Sequence, residues 1–403
     1  MFYQSRRSIP WPVKALIACT AVILTGVLSA GYASAGPAPG TKLATLKAGG
    51  ATRDFGSAVA LSGTTAVVGQ PSESGFTIPG RVFVFTKTTT GWKQTATLEA
   101  SDHAAEDQFG SAVAVSGNTI AVGDPNPSNG RHCGGFSCGA VYIFTKTTTG
   151  WKQAAEFKDP NPVSSNYGND LFGHAVATTG NTVYAGSPGY DQSPSTTGNG
   201  GAVFAYTQTT SGWQQTAKIT PSSSAGLGLG WSLAVSGSTV VAGAFSCQTC
   251  ASSAAYVLTH TTSGWTQDRL TSSDFTSGDG FGESVSVSGS VIAVGAPYHA
   301  NFSGRVYVFA KTTTGWKQTA ELSHGSPILE FGLSAGISGT ALVVSNVGAA
   351  GPVYFFAKTT TGWKYVTTVN LTGGVTGVSV SGSLALAAAQ PGTSAGRGDI
   401  FEA

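Results

Sequence analysis

Charge is scarce in this sequence, with 21 Lys and Arg and 19 Asp and Glu among 403 residues. No basic run or stripe occurs, which removes the electrostatic footprint that a nucleic-acid partner requires. Beyond the first forty residues no apolar run is long enough to span a bilayer. No stretch outside the N-terminus reads as a helix. No Gly-x-Ser-x-Gly elbow is present to seat a serine nucleophile. The six histidines, His103, His132, His174, His260, His299 and His324, show no metal-ligand spacing. The sequence therefore calls for no metal and no cofactor, and catalysis has little support in it.

What the chain has instead is repetition. "FTKTTTGWKQ" from Phe85 returns from Phe144, and close copies start at Tyr206, Leu258, Phe309 and Phe356. Upstream of each stands a second pattern, "FGSAVALSG" from Phe55, with copies from Phe109, Phe172, Leu229, Phe281 and Phe331 and a worn seventh from Gly374. A third follows it, as "AVVGQP", "IAVGDP" and "IAVGAP". A repeat this long is the length of a propeller blade.

Each unit reads as four strands. "SAVAVSG" alternates apolar and small residues, and its Ser-Gly end is a tight turn. "TIAVG" is almost wholly apolar, as a strand covered on both faces is. "GAVYIFTK" is rich in β-branched and aromatic residues. The Thr run and Gly close the outer hairpin, and the Trp opens a fourth strand whose ring can pack on a neighbour. The seventh unit stops after three strands, whereas "TKLATLKAGG" from Thr41 resembles the fourth-strand text from Lys93. The expected fold is an all-β, seven-bladed propeller of four-stranded antiparallel blades, closed by an N-terminal strand at Leu43 to Lys47. Closure removes the edges that invite aggregation.

The FG opening and the "VGAP" after it resemble the FG-GAP repeat, the unit of the integrin α-subunit N-terminal propeller and of many bacterial secreted proteins. The resemblance runs from about Thr41 to the end. It implies the propeller fold and leaves the activity open. Members often carry an acidic Asp-x-Asp-x-Asp-Gly calcium loop between the first two strands. Here that place holds "SGTT", "SGNT" and similar turns without a carboxylate, so calcium is not expected there. The Arg-Gly-Asp at Arg397 to Asp399 aligns with third-strand text and reads as a strand.

Residues 1–35 have a basic start, an apolar stretch and an Ala-x-Ala ending at Ala35, the pattern of a secretory signal peptide. The expected organisation is a leader over 1–35 and a propeller over 36–403, secreted or at the cell surface and monomeric, with no membrane span once the leader is removed. Residues 1–35 hold three basic side chains and no acidic one, so the rest is near neutral. Cys133, Cys138, Cys247 and Cys250 then form an even set, read as disulfides Cys133–Cys138 and Cys247–Cys250, each within one loop.

Residues common to all blades serve the blade. On that ground Asp107, Asp170 and Asp279 read as turn-formers, and His174, after a Phe-Gly, as a packed blade residue. The variable text lies between second and third strands, on one face of the ring, where binding residues usually sit. Asp124, Asn126, Tyr190, Asp191, Tyr298 and His299 are its candidate ligand-binding residues. The function this suggests is non-enzymatic adhesion or recognition of a protein or a cell-surface glycan. Two alternatives are a polysaccharide hydrolase or lyase with acids at the axial channel, and a purely structural envelope module. Carboxylates at the channel mouth would favour the enzyme, and aromatic side chains on the loop face a glycan.

Overall fold

The computed structural model describes residues 36–52, 54–72, 78–102, 107–125, 139–160, 170–190, 200–222, 228–245, 253–325, 330–346, 351–390 and 394–403. They form seven four-stranded antiparallel sheets. Six are meanders of consecutive strands, blades 1 to 6, at residues 58–98, 112–158, 176–219, 229–270, 285–322 and 334–370. Blade 7 takes three strands from residues 374–402 and its outer strand from Lys42–Leu46. Among the described residues helix is confined to one short turn at His299–Phe302, and none of them forms a helix long and apolar enough to cross a membrane.

The core lies between blades. Second strands such as Thr65–Gln70, Thr119–Asp124 and Val291–Ala296 are buried along their whole length. Outer strands such as Gly91–Leu98 alternate between exposed and half-buried positions and end on a buried Leu. The repeated Trp has a definite partner. Trp92, Trp151, Trp213, Trp265, Trp316 and Trp363 each pack into the apolar cluster shared with the preceding blade. The Thr run has one too. The hydroxyls of Thr88, Thr147 and Thr312 each donate to the carbonyl of the turn glycine three residues on, at 2.7 Å.

The FG and VG glycines answer each other across blades. Each FG glycine has φ near +97°, as Gly110 (98°), Gly230 (97°) and Gly282 (97°) show. Its N–H donates to the VG glycine of its own blade, for example Gly110 to Gly123 at 3.1 Å. Its carbonyl lies against the VG glycine of the blade before. A Cβ on Gly69 would stand 2.0 Å from the Gly110 oxygen, and one on Gly123 2.0 Å from that of Gly173. The same contact recurs at Gly186, Gly243 and Gly295. Serine hydroxyls of the inner strands add cross-blade bonds: Ser379 accepts from Leu61 N–H at 3.0 Å and Ser286 from Ile337 N–H at 2.9 Å.

The seam of the ring is electrostatic as well as backbone-paired. Lys42–Leu46 runs antiparallel to Arg397–Glu402, with Lys42 opposite Phe401 and Leu46 opposite Gly398. Asp399, fully buried, accepts from Thr45 Oγ1 and pairs with Lys42 Nζ, both at 2.6 Å. Arg397 Nε lies 3.0 Å from its other oxygen. The Arg-Gly-Asp is thus a strand whose acid is locked inside the seam.

Two outcomes follow for stability. Gly123→Ala pushes a methyl into a backbone carbonyl and should cost about 3 kcal/mol or more. Gly117→Ala meets open space and only the penalty of its φ of +56°, about 1–2 kcal/mol. Urea unfolding of both variants checks the order; equal midpoints would remove the interblade contact as its cause. A chain starting at Ala51 lacks the closing strand and should melt lower and aggregate more than one starting at Gly36. Equal melting and solubility would show that the strand does not hold the ring.

Candidate functional site

The inner strands of all seven blades, at residues 59–61, 113–115, 176–178, 233–235, 285–287, 335–337 and 378–380, surround an axial cavity of about 240 Å³. Most of its lining side chains are apolar, but main-chain groups and hydroxyls such as those of Thr178, Ser286 and Ser379 make much of its surface polar, and among the described residues no carboxylate lines it. The chemistry gathers at one end. The residue after each FG glycine stands two positions ahead of the first wall residue of its blade. In blades 1 and 2 it is Ser57 and Ser111; in blades 3, 4 and 5 it is His174, Trp231 and Glu283.

These three side chains touch in sequence around the rim, and all are half-buried. The His174 and Trp231 rings are 4.5 Å apart between centroids. The Trp231 indole N–H donates to the Glu283 carboxylate. Burial raises the Glu283 carboxyl to about 7; the indole bond opposes the rise, and the nearby Glu330 carboxylate adds to it. Burial lowers His174 to about 4. Glu283 Oε2 has no hydrogen-bond partner among the described residues.

Aromatic rings continue outward from Trp231. Phe245 meets it edge-on at 5.2 Å, Tyr298 lies 6.1 Å from Phe245, and Phe302 lies 5.6 Å from Tyr298. Phe302 is 51% exposed. It ends an unusual turn in which Ala300, Asn301 and Phe302 all have positive φ, at 51°, 57° and 65°. Left-handed backbone costs L-residues about 1–2 kcal/mol each, and such strain gathers at functional sites. The turn is held at both ends. Tyr298 N–H donates to the Asp279 carbonyl at 3.0 Å, and the Phe302 carbonyl accepts from Glu330 N–H at 2.8 Å. Glu330 itself sits at φ +51°.

The structure places the sequence candidates unevenly. Tyr298 and His299 lie in this turn, beside the aromatic run. Asp124 is 1% exposed at the end of its strand, and its carboxylate accepts from Gln108 N–H at 3.0 Å in the connector before blade 2. Tyr190 is 4% exposed; its hydroxyl accepts from Lys218 Nζ at 3.0 Å. Asn126, Asp191 and the four cysteines, Cys133, Cys138, Cys247 and Cys250, lie outside the described residues. Asp107, Asp170 and Asp279 are buried in the connectors, where the Asp170 and Asp279 carbonyls pin Gly189 and Tyr298 of the following loops. His174 does not simply pack inside its blade, since its ring meets the neighbouring blade at Trp231. Trp231, Glu283 and Glu330 were not among the candidates, although each changes a repeat position or flanks one.

The two shifted groups oppose each other in pH. The folded chain holds a proton on Glu283 that the unfolded chain releases, so that contribution to stability is full below about pH 4.5 and is lost as pH rises to about 7. His174 refuses a proton that the unfolded chain takes up, so its contribution is full above about pH 6.5 and is lost as pH falls toward about 4. In the intact chain the two slopes offset. Glu283→Gln should make stability fall on acidification over that window, and His174→Gln should make it fall on raising the pH. Denaturant midpoints across the window check both signs; parallel slopes in the two variants would refute the assignment.

The FG-GAP repeat family matches residues 92–144 and 265–309, from the outer strand of blade 1 into blade 2 and from that of blade 4 into blade 5. No curated protein matches the sequence. Among solved structures, one described as "Structure of U3-55K" is similar with a TM-score of 0.59 at 10% identity, over 90% of this chain and 98% of that one. Another, "Crystal structure of RRP9 WD40 repeats", has a TM-score of 0.60 at 11% identity, over 91% of this chain and 99% of that one. At such identity the likeness shows the propeller fold alone. The chain is thus a seven-bladed β-propeller in which the FG-GAP repeat is matched at residues 92–144 and 265–309.

Proposed function

We propose that the chain is an exported propeller that binds a cell-surface glycan through its loop face, at the rim formed by blades 3 to 6. The observation that carries this reading is the aromatic run His174, Trp231, Phe245, Tyr298 and Phe302. Sugar rings present an apolar C–H face that packs on aromatic rings, and hydroxyls that need hydrogen-bonding partners. Trp231, half-buried at the rim, and Phe302, 51% exposed, offer the first. Rigid blades hold these groups in place, which limits the ordering cost of binding. The export half of the reading rests on the leader-like text of residues 1–35.

One observation favours a second reading, cleavage of the bound polysaccharide. A carboxyl raised to about 7 beside a second carboxylate, as in Glu283 and Glu330, is the pairing that acid–base work on a glycosidic bond uses. A glycan array followed by titration of the best ligand separates the readings. Trp231→Ala should weaken binding about 30-fold or more, as loss of an aromatic anchor does, whereas Thr90→Ala on the opposite turns should leave it unchanged. Product release that Glu283→Gln abolishes while binding persists would establish the enzyme. Binding to proteins only, or glycan binding indifferent to Trp231, would overturn the glycan reading.

A further inference from the structure

A second cluster on blade 5 adjoins the rim through the turn that carries Tyr298 and Phe302. Asp274 lies in the connector from blade 4, His299 in the left-handed turn and Glu321 on the outer strand. One ligand atom from each comes within 4.8 Å of the others. We propose that His299 Nε2, Asp274 and Glu321 bind a divalent transition metal of the zinc type.

His299 is 12% exposed, and its Nδ1 lies 2.9 Å from Asp279 Oδ2, itself 7% exposed. Asp279 is fixed in turn by Thr276 N–H, which donates to the same oxygen at 2.8 Å. A carboxylate that takes the Nδ1 proton leaves the Nε2 lone pair pointing the other way, which is how metal-binding histidines are oriented. That nitrogen faces Asp274.

His299 Nε2 and Asp274 Oδ2 are 3.4 Å apart. A protonated imidazole bonded to a carboxylate closes to about 2.7–2.9 Å. Two ligand atoms on a tetrahedral zinc, each about 2.0–2.1 Å from the ion, stand about 3.3 Å apart. The gap is that of a ligand edge and is too long for a charge-assisted hydrogen bond.

The acids are prepared for the task. Asp274 Oδ1 accepts from Tyr307 OH at 2.8 Å, which leaves Oδ2 toward the histidine. Burial and then Asp274 itself push the Tyr307 hydroxyl well above its usual range, so it stays a donor. Glu321 Oε1 accepts from Arg305 Nε at 2.8 Å, which leaves its second oxygen. Blade 2 repeats part of this arrangement: Tyr142 OH donates to Asp102 at 3.0 Å, and Tyr142 stands opposite Glu156. Three carboxylates around one histidine, offset by Arg305, favour a dication. One nitrogen and two oxygens suit zinc rather than calcium, which takes six or more oxygens.

The test uses the full chain, ZnCl2 in equilibrium dialysis, and Co(II) as a spectroscopic substitute. One ion should bind per chain, with the visible bands of tetrahedral cobalt and no thiolate charge-transfer band. Affinity should fall with pH, because protons compete for the imidazole. His299→Gln should abolish binding, and Asp279→Asn should weaken it about 10–100-fold through the lost orientation. Glu321→Gln, on the exposed outer strand, should fold normally and weaken binding at least tenfold. Failure to retain zinc in excess metal overturns the proposal. So does undiminished binding in folded His299→Gln and Glu321→Gln, which would move the ion to the cysteines.

Discussion

The ring depends on a contact between two stretches of bare backbone. The FG glycine of one blade lays its carbonyl on the Cα of the VG glycine of the blade before, where a Cβ would stand about 2.0 Å from an oxygen. No side chain can be inserted there, so the spacing between inner sheets is set by main-chain atoms rather than by side-chain fit. Outside that radius the interfaces fill with ordinary apolar packing, ending on the repeated Trp. The φ near +97° that the FG glycine needs is the reason one glycine satisfies both requirements at once.

The exceptions support the constraint. Between blades 6 and 7 both members change together: Ser345 takes the VG place and Val375 the FG place, and both are buried. Between blades 7 and 1 Ala388 takes the VG place, and its Cβ lies 3.1 Å from where one would stand on Gly56. Blade 7 is therefore the irregular member on both sides, and it is also the blade assembled from two distant segments. Buried Asp399, with Lys42, Arg397 and Thr45 around it, supplies at that blade a directional tie the regular blades do not need.

Much of this was legible in the text. Strand alternation, the Ser-Gly and Thr-Gly turns, the blade count and the missing fourth strand are local features, and local features survive in a linear reading. That the two glycines of the motif face each other across different blades is not local, and the repeat alone does not show it. The site was read less well for the same reason. The variable loops hold Tyr298 and His299, which lie beside the aromatic run, and Asp124 and Tyr190, which are buried. Trp231 and Glu283 sit one residue past the FG, inside text that looks structural. Their signal was the change from Ser57 and Ser111 to His174, Trp231 and Glu283 at a fixed repeat position, and their contact depends on blades being neighbours in a ring.

The seam carries a consequence for how the chain comes to its final state. Synthesis proceeds from the N-terminus, so Lys42–Leu46 exists long before its partner at Arg397–Glu402. Throughout that interval the strand has no sheet to join, and blade 1 has no neighbour on one side. Blades 1 to 6 can stack as they emerge, but the last step joins residues roughly 350 apart in sequence, and its loop-closure entropy is met only once the other blades hold the two ends near each other. Completion of the ring therefore waits until Arg397–Glu402 has been made. A chain held unfolded until it is complete avoids an open arc whose two end blades could each recruit a second molecule.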